Sequence, residues 1–196
     1  ASVSATTDSE LSGDSNTNSY VVQGHKFTEN EIDNFESPLV LPGYFATLRQ
    51  PLLVGRDFTL ADRTGAPNVA IVNLDFAKRF YGSASNALGH LLGSDKPQPP
   101  TVGVVGDTKH QDLRTDPGGE VYQPYLQMKH PVGMQIYVRT PGAPDVLEPE
   151  IERAVHGLDS TLVVDGLRTM EAQVDMSASS ERALALLAMA FAILAA

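Results

Sequence analysis

An α+β domain that lies outside the cytoplasm and leads into a transmembrane helix is what this sequence predicts, and three observations carry the expectation. The last fourteen residues, Ala183 to Ala196, carry no charge and no side-chain N–H or O–H. A bilayer core requires about 20 apolar residues in a helix, and a run of about 10–14 more often marks a buried helix. Here the run reaches the final residue, so fourteen is a lower bound, and the chain reads as a fragment cut where it enters a membrane. At the other end, Ala1 is not an initiator methionine and no signal peptide precedes it. Between the ends, short strand-like apolar runs alternate with helix-like ones.

The elements follow in order. Ser2–Thr6 is a short strand running into Asp8–Ser19, a stretch of Ser, Asp, Asn and Thr that reads as a loop. Tyr20–Val22 begins another strand before Gly24, and Pro38–Leu41 is extended. Pro42-Gly43 then turns the chain into a short helix, Tyr44–Arg49, and Pro51–Val54 is a strand that leaves its sheet at Gly55. Val69–Val72 is a continuous apolar run, the pattern of a strand covered on both faces. Asn73 can cap the helix after it, in which Leu74, Ala77, Phe80 and Tyr81 recur at helical spacing before Gly82.

Val102–Val105, Val121–Tyr125 and Gln135–Arg139 are three further strands, the last with Ile136 and Val138 on one face. Asp145–Leu158 is the strongest helix pattern, with a stripe of Leu147, Ile151, Val155 and Leu158. Pro149 fits only near its first turn. Leu162–Val164 is the strand after it, closing a β-α-β unit in which the stripe packs on a sheet.

Composition narrows the function. With 24 acidic against 14 basic residues the net charge is −10, which excludes the clustered cations that a nucleic-acid partner requires. Residues 1–37 hold seven acids and one base, but no calcium-loop pattern, so they read as a solvated face. The chain has no cysteine, which excludes disulfides, zinc thiolates and thiol catalysis. No nucleophile elbow, zinc-protease motif, phosphate loop or dinucleotide loop is present, so no catalytic, cofactor-binding or metal residue is assigned.

One short stretch stands nearest to chemistry. Asp107, His110 and Asp112 place two acids and a histidine within six residues, a set able to ligate a metal or act as an acid–base pair. The competing reading makes Gly106-Asp107 the exit turn of a strand and His110 with Asp112 a solvated loop. Tyr44-Phe45 and Phe80-Tyr81, on helices next to apolar strands, read as core aromatics.

Several words of the sequence, in order, resemble the MacB-like periplasmic core domain of FtsX-type ABC transporter permeases, with the duplicated permeases of acidobacteria the closest subgroup. They are Pro42-Gly43-Tyr44-Phe45, Pro51–Phe58, Val69–Asn73 with Ala77–Phe80, Val102–Asp107, Glu120–Tyr125, Val138–Thr140, Leu158-Asp159 and Val164–Met170. The resemblance implies a porter lobe of split β-α-β units with an inserted, mostly-β sabre lobe. Residues 1–17 would give the last strand of the first porter unit, 18–132 the sabre-like lobe and 133–169 the second porter unit. Residues 170–196 would be a linker helix and the start of the second transmembrane helix, leaving 1–180 on the periplasmic side of the inner membrane.

The implied role is mechanical: ATP hydrolysis on a separate ABC ATPase subunit or domain moves the extracytoplasmic domain for export, efflux or signalling. Implied partners are that ATPase, a second permease (a dimer mate or duplicated half) and a periplasmic adaptor. No cofactor is implied. Two other readings stand beside it: a membrane-anchored secreted enzyme using Asp107, His110 and Asp112, and a ligand-binding module on a stalk.

Overall fold

The computed structural model describes residues 1–12, 16–93, 100–109, 118–130 and 133–178. Along the chain lie β1 (Ser2–Thr6), β2 (Thr17–Ser19), β3 (Val21–Val22), β4 (Asn34–Glu36), β5 (Leu39–Val40), α1 (Tyr44–Leu48), β6 (Leu52–Gly55) and β7 (Ala70–Asn73). After them come α2 (Leu74–Tyr81), α3 (Ala84–Ala87), β8 (Leu92–Gly93), β9 (Thr101–Val105), β10 (Val121–Pro124), β11 (Gln135–Arg139) and α4 (Glu148–Leu158). A final helix, α5, covers residues 170–178. The fold class is α+β, with a mixed seven-stranded sheet in the order β11-β1-β5-β10-β7-β9-β6. Two small ribbons, β2-β4 and β3-β8, flank it.

β7 lies inside the sheet between β10 and β9, and its sequence explains why. All four of its residues are buried. Ala70 and Val72 face a core completed by Phe76 and Ala77 of α2, Ala87 of α3, and Tyr20, Val22, Phe35, Leu92, Val104 and Val121. Val69 and Ile71 face the opposite core, made with Tyr44 and Phe45 of α1 and with Val40, Phe58, Val105 and Tyr122. Period-two alternation in a run that is apolar throughout therefore fills both sides of one strand. β9 lies parallel to β7 with a bulge between Ala70 and Ile71, and β10 lies antiparallel on its other side.

Two glycines permit the edge beyond β9. A Cβ on Gly55, whose φ is 80°, would lie 2.3 Å from the Val102 carbonyl oxygen, and one on Gly103 would lie 2.5 Å from that of Arg56. Arg56 N–H donates to the Val102 carbonyl at 3.0 Å across this approach. Neither position has room for a side chain.

β1 and β11 form a full five-residue antiparallel pair, Ser2–Arg139 through Thr6–Gln135. They join the remaining sheet through the single pair Thr6–Val40, flanked by Thr7 N–H to Leu39 O at 3.0 Å and Leu41 N–H to Ala5 O at 2.9 Å. α1 straddles this seam, with Thr47 Oγ1 donating to Ser2 Oγ at 3.1 Å and the Arg139 guanidinium donating to the Thr47 carbonyl.

The structure departs from the sequence reading in four places. Leu162–Val164 is not a strand, so the unit beginning at β11 lacks its expected second strand. α4 starts at Glu148, after a 3-10 turn at Pro144–Val146, because Pro149 tolerates only the first helical turn. Its stripe does not pack on a sheet: no α4 residue is buried, and Leu158 is 85% exposed. The alternation read for β11 holds, with the face carrying Ile136 and Val138 outward and Tyr137 packed against the core beside α1. Finally, β2, β4, α3 and β8, each two to four residues long, carry too few side chains for a periodic signal. Among the described residues no helix is long and apolar enough to cross a membrane, and Ala183–Ala196 lies outside them.

These packing differences set mutational costs. Phe76→Ala, deleting a fully buried ring from the α2 face, should lower stability by about 3–5 kcal/mol. Leu158→Ala should change it by no more than about 0.5 kcal/mol, as at other surface positions. Urea denaturation of the two variants checks both values, and a large loss at Leu158 would mean that α4 is docked.

Candidate functional site

Of the three residues nearest to chemistry in the sequence, the structure describes one. Asp107 follows β9, and its Oδ1 accepts from the Asp75 backbone N–H at 2.8 Å. That N–H is one of the unpaired donors in the first turn of α2, so Asp107 acts as a second cap there. The first is Asn73, whose Oδ1 accepts from Phe76 N–H at 3.1 Å. His110 and Asp112 lie outside the described residues. Among the described residues no group of three His, Asp or Glu side chains could hold a metal ion.

Asn73 has a wider reach than its predicted cap. It is fully buried, and its Oδ1 also accepts from Glu120 N–H at 3.0 Å while Nδ2 donates to the Gly118 carbonyl at 2.8 Å. One amide thus ties α2 to the entry of β10. Tyr122, at the centre of β10, donates to the Glu120 carboxylate and accepts from Gln50 Nε2 at 3.0 Å, which also reaches the Gly106 carbonyl at 2.7 Å.

A second buried polar cluster lies where the loop after β1 meets α5. The sequence reads Asp8–Ser19 as a solvated loop, yet Glu10 and Leu11 are buried, Leu11 with φ 55°. Tyr44, on α1, donates its hydroxyl to the Glu10 carboxylate. Tyr137, on β11, accepts from the Glu10 backbone N–H at 2.9 Å. Gln173, on α5, donates its Nε2 to the Glu10 carbonyl at 3.0 Å. Gln173 is the buried residue of the described part of α5, at 8% exposure. Thr169 caps that helix, accepting from Ala172 N–H at 3.1 Å.

The only sequence signals for this cluster were weak ones. Leu11 is a lone apolar residue in a polar stretch, and Tyr137 is an aromatic on the polar face of its strand.

A cleft of about 680 Å³ opens on another side of the molecule, lined by Asn16, Asn18, Tyr20, Asn68, Gln123 and Gln127 among others, with no charged side chain on its described walls.

Burial governs the tyrosines. It raises the Tyr44 and Tyr122 phenols well above the usual value of 10, with the nearby Glu10 and Glu120 charges adding to it. Burial likewise pushes Tyr137 and Tyr81 up to about 12. All four are neutral at any physiological pH.

No protein-family model matches this chain. No curated protein matches its sequence. Solved structures do match. The periplasmic region of MacB from Actinobacillus actinomycetemcomitans superimposes at a TM-score of 0.55 and 21% identity, covering 81% of this chain and 67% of that one. This chain has the fold of a MacB-like periplasmic core domain. The extracellular domain of the noncanonic ABC-type transporter YknZ from Gram-positive bacteria matches at 15% identity over 82% of this chain and 96% of that one. Its TM-score of 0.48 is too low for a fold argument. At these identities the likeness to MacB is one of fold.

The raised phenols predict alkaline lability in this MacB-like domain. A phenol whose folded value exceeds its unfolded value of 10 stabilises the fold relative to higher pH, because the folded state keeps a proton that the unfolded state has released. The tyrosines' contribution to stability is therefore constant up to about pH 10 and falls as pH rises toward about 12, each buried tyrosine steepening the fall. Phenolate absorbance should appear together with loss of far-ultraviolet circular dichroism. Titration of Tyr44 and Tyr122 at pH 10 in a still-folded protein would contradict their burial.

Proposed function

We propose that this chain is the extracytoplasmic domain of an ABC-transporter permease in a bacterial inner membrane, moved mechanically by ATP hydrolysis on a separate subunit or domain. The fold match to the MacB periplasmic region over 81% of the chain supports this reading. The domain has no catalytic residue of its own in this reading, consistent with Asp107 serving as a helix cap. Its partners are the ATPase, a second permease copy or half, and an adaptor on the periplasmic side, and its output is export, efflux or signalling.

In the same reading, 1–17 and 133–169 form the porter lobe and 18–132 the sabre-like lobe. The pairing of β1 with β11, and their narrow seam to β5, support that division. In this reading α5 is the relay from the membrane; residues 179–196, the rest of the expected linker and membrane helix, lie outside the described residues. A relay requires a stiff element, and no glycine or proline interrupts Met170–Ala195.

Inserting Gly-Gly-Gly after Asp175 in the intact permease tests the reading. Transport or signalling should be uncoupled from ATP hydrolysis, with the domain's thermal unfolding unchanged. Unaltered output would make the segment a passive tether.

A further inference from the structure

Among its described residues α5 buries little apolar surface. Of its described residues, 170–178, Gln173 alone is buried, while Met170, Val174 and Met176 are 41%, 36% and 54% exposed. A helix anchored by apolar burial would show the opposite pattern. Among the described residues, the buried side chain of α5 ties it to the loop after β1, Gln173 Nε2 donating to the Glu10 carbonyl.

That carbonyl belongs to a residue held from two other directions. The Glu10 carboxylate takes the Tyr44 hydroxyl, and the Glu10 N–H reaches the Tyr137 hydroxyl at 2.9 Å. Tyr44 belongs to α1 and packs on Tyr122 of β10 with ring centres 6.3 Å apart. Tyr137 belongs to edge strand β11 and stands 6.4 Å from the Tyr44 ring. Buried polar groups of this kind are costly to leave unpaired, so each bond resists separation more than an exposed one would.

We infer that the Gln173–Glu10 contact is the joint through which displacement of α5 reaches the sheet, with Tyr44 and Tyr137 as positioning residues that fasten Glu10 to α1 and β11. The inference rests on the permease reading above and names the residues that carry its motion. Pulling α5 then pulls a residue held to β11 through Tyr137 and to α1 through Tyr44, which packs on Tyr122 of β10, and the sheet follows. Without the joint, α5 moves and the sheet does not.

The test uses the assembled transporter in phosphatidylethanolamine–phosphatidylglycerol vesicles. A fluorophore on Leu60→Cys, an exposed site far along the chain from the joint, reports energy transfer to acceptor lipids as ATP is added. Gln173→Met keeps the side-chain length and removes the donor. Tyr137→Phe loosens Glu10 from the other side without touching α5.

Both variants should lose about half or more of the ATP-driven change in transfer while hydrolysing ATP as before. Amide exchange over 170–178 should be roughly fivefold faster in Gln173→Met, as expected for one lost hydrogen bond. A full ATP response in both variants overturns the joint but leaves the permease reading standing. Absence of any ATP response in the unsubstituted protein overturns the permease reading, and the joint with it.

Discussion

Everything in this fold is arranged around the double burial of β7. A strand apolar on both faces cannot sit at a surface, so a layer must cover each side. α1 covers one with Tyr44 and Phe45, and α2 with α3 covers the other with Phe76, Ala77 and Ala87. Asn73, at the end of the strand, then decides how the layers meet. Its buried amide caps α2 and holds the entry of β10, so strand, helix and neighbouring strand leave one point in fixed directions. Replacing it with an apolar residue of similar size would leave donors of Phe76 and Glu120 without that acceptor.

The half of the chain built on β1 and β11 obeys a different rule. Its outward face carries Val3, Ile136 and Val138, which are exposed, and no residue of α4 is fully buried. Among the described residues, apolar burial contributes little to holding α5 against the sheet. Directional polar contacts do that work instead, at Gln173, Glu10, Tyr44 and Tyr137. Such contacts fix geometry closely while adding little net stability, since a buried hydrogen bond mainly avoids the cost of being unmade. A joint of that kind suits a part that is displaced and returned.

Legibility in the sequence followed the same division. β7 and α2 were readable because burial writes a period into the chain: an unbroken apolar run for Val69–Val72, and helical spacing from Leu74 to Tyr81 with Asn73 before it. The same logic misled at α4, where a stripe of Leu147, Ile151, Val155 and Leu158 has helical period but no sheet beneath it. At Leu162–Val164 three apolar residues suggested a strand, and no neighbouring strand pairs with them.

The joint was nearly invisible, because its members are polar residues whose partners lie as far as 163 positions away. Neither Gln173 nor Glu10 differs in sequence from a solvated residue. Asp107 is legible as the residue where the chain leaves a strand, and the structure places it just after β9; what the sequence does not show is that its carboxylate completes a helix cap. The resemblance in the sequence to MacB-like domains agrees with the fold match, although only 21% of aligned residues are identical.

The central claim is that this domain stands outside the membrane and is moved from across it. The chain has no cysteine, so Leu60→Cys, at an exposed position, gives the domain a single thiol. In intact spheroplasts making the full permease, a membrane-impermeant maleimide should label that thiol at once, with lysis adding nothing. Protection of the thiol until the cells are broken would place the domain on the cytoplasmic side and contradict the account.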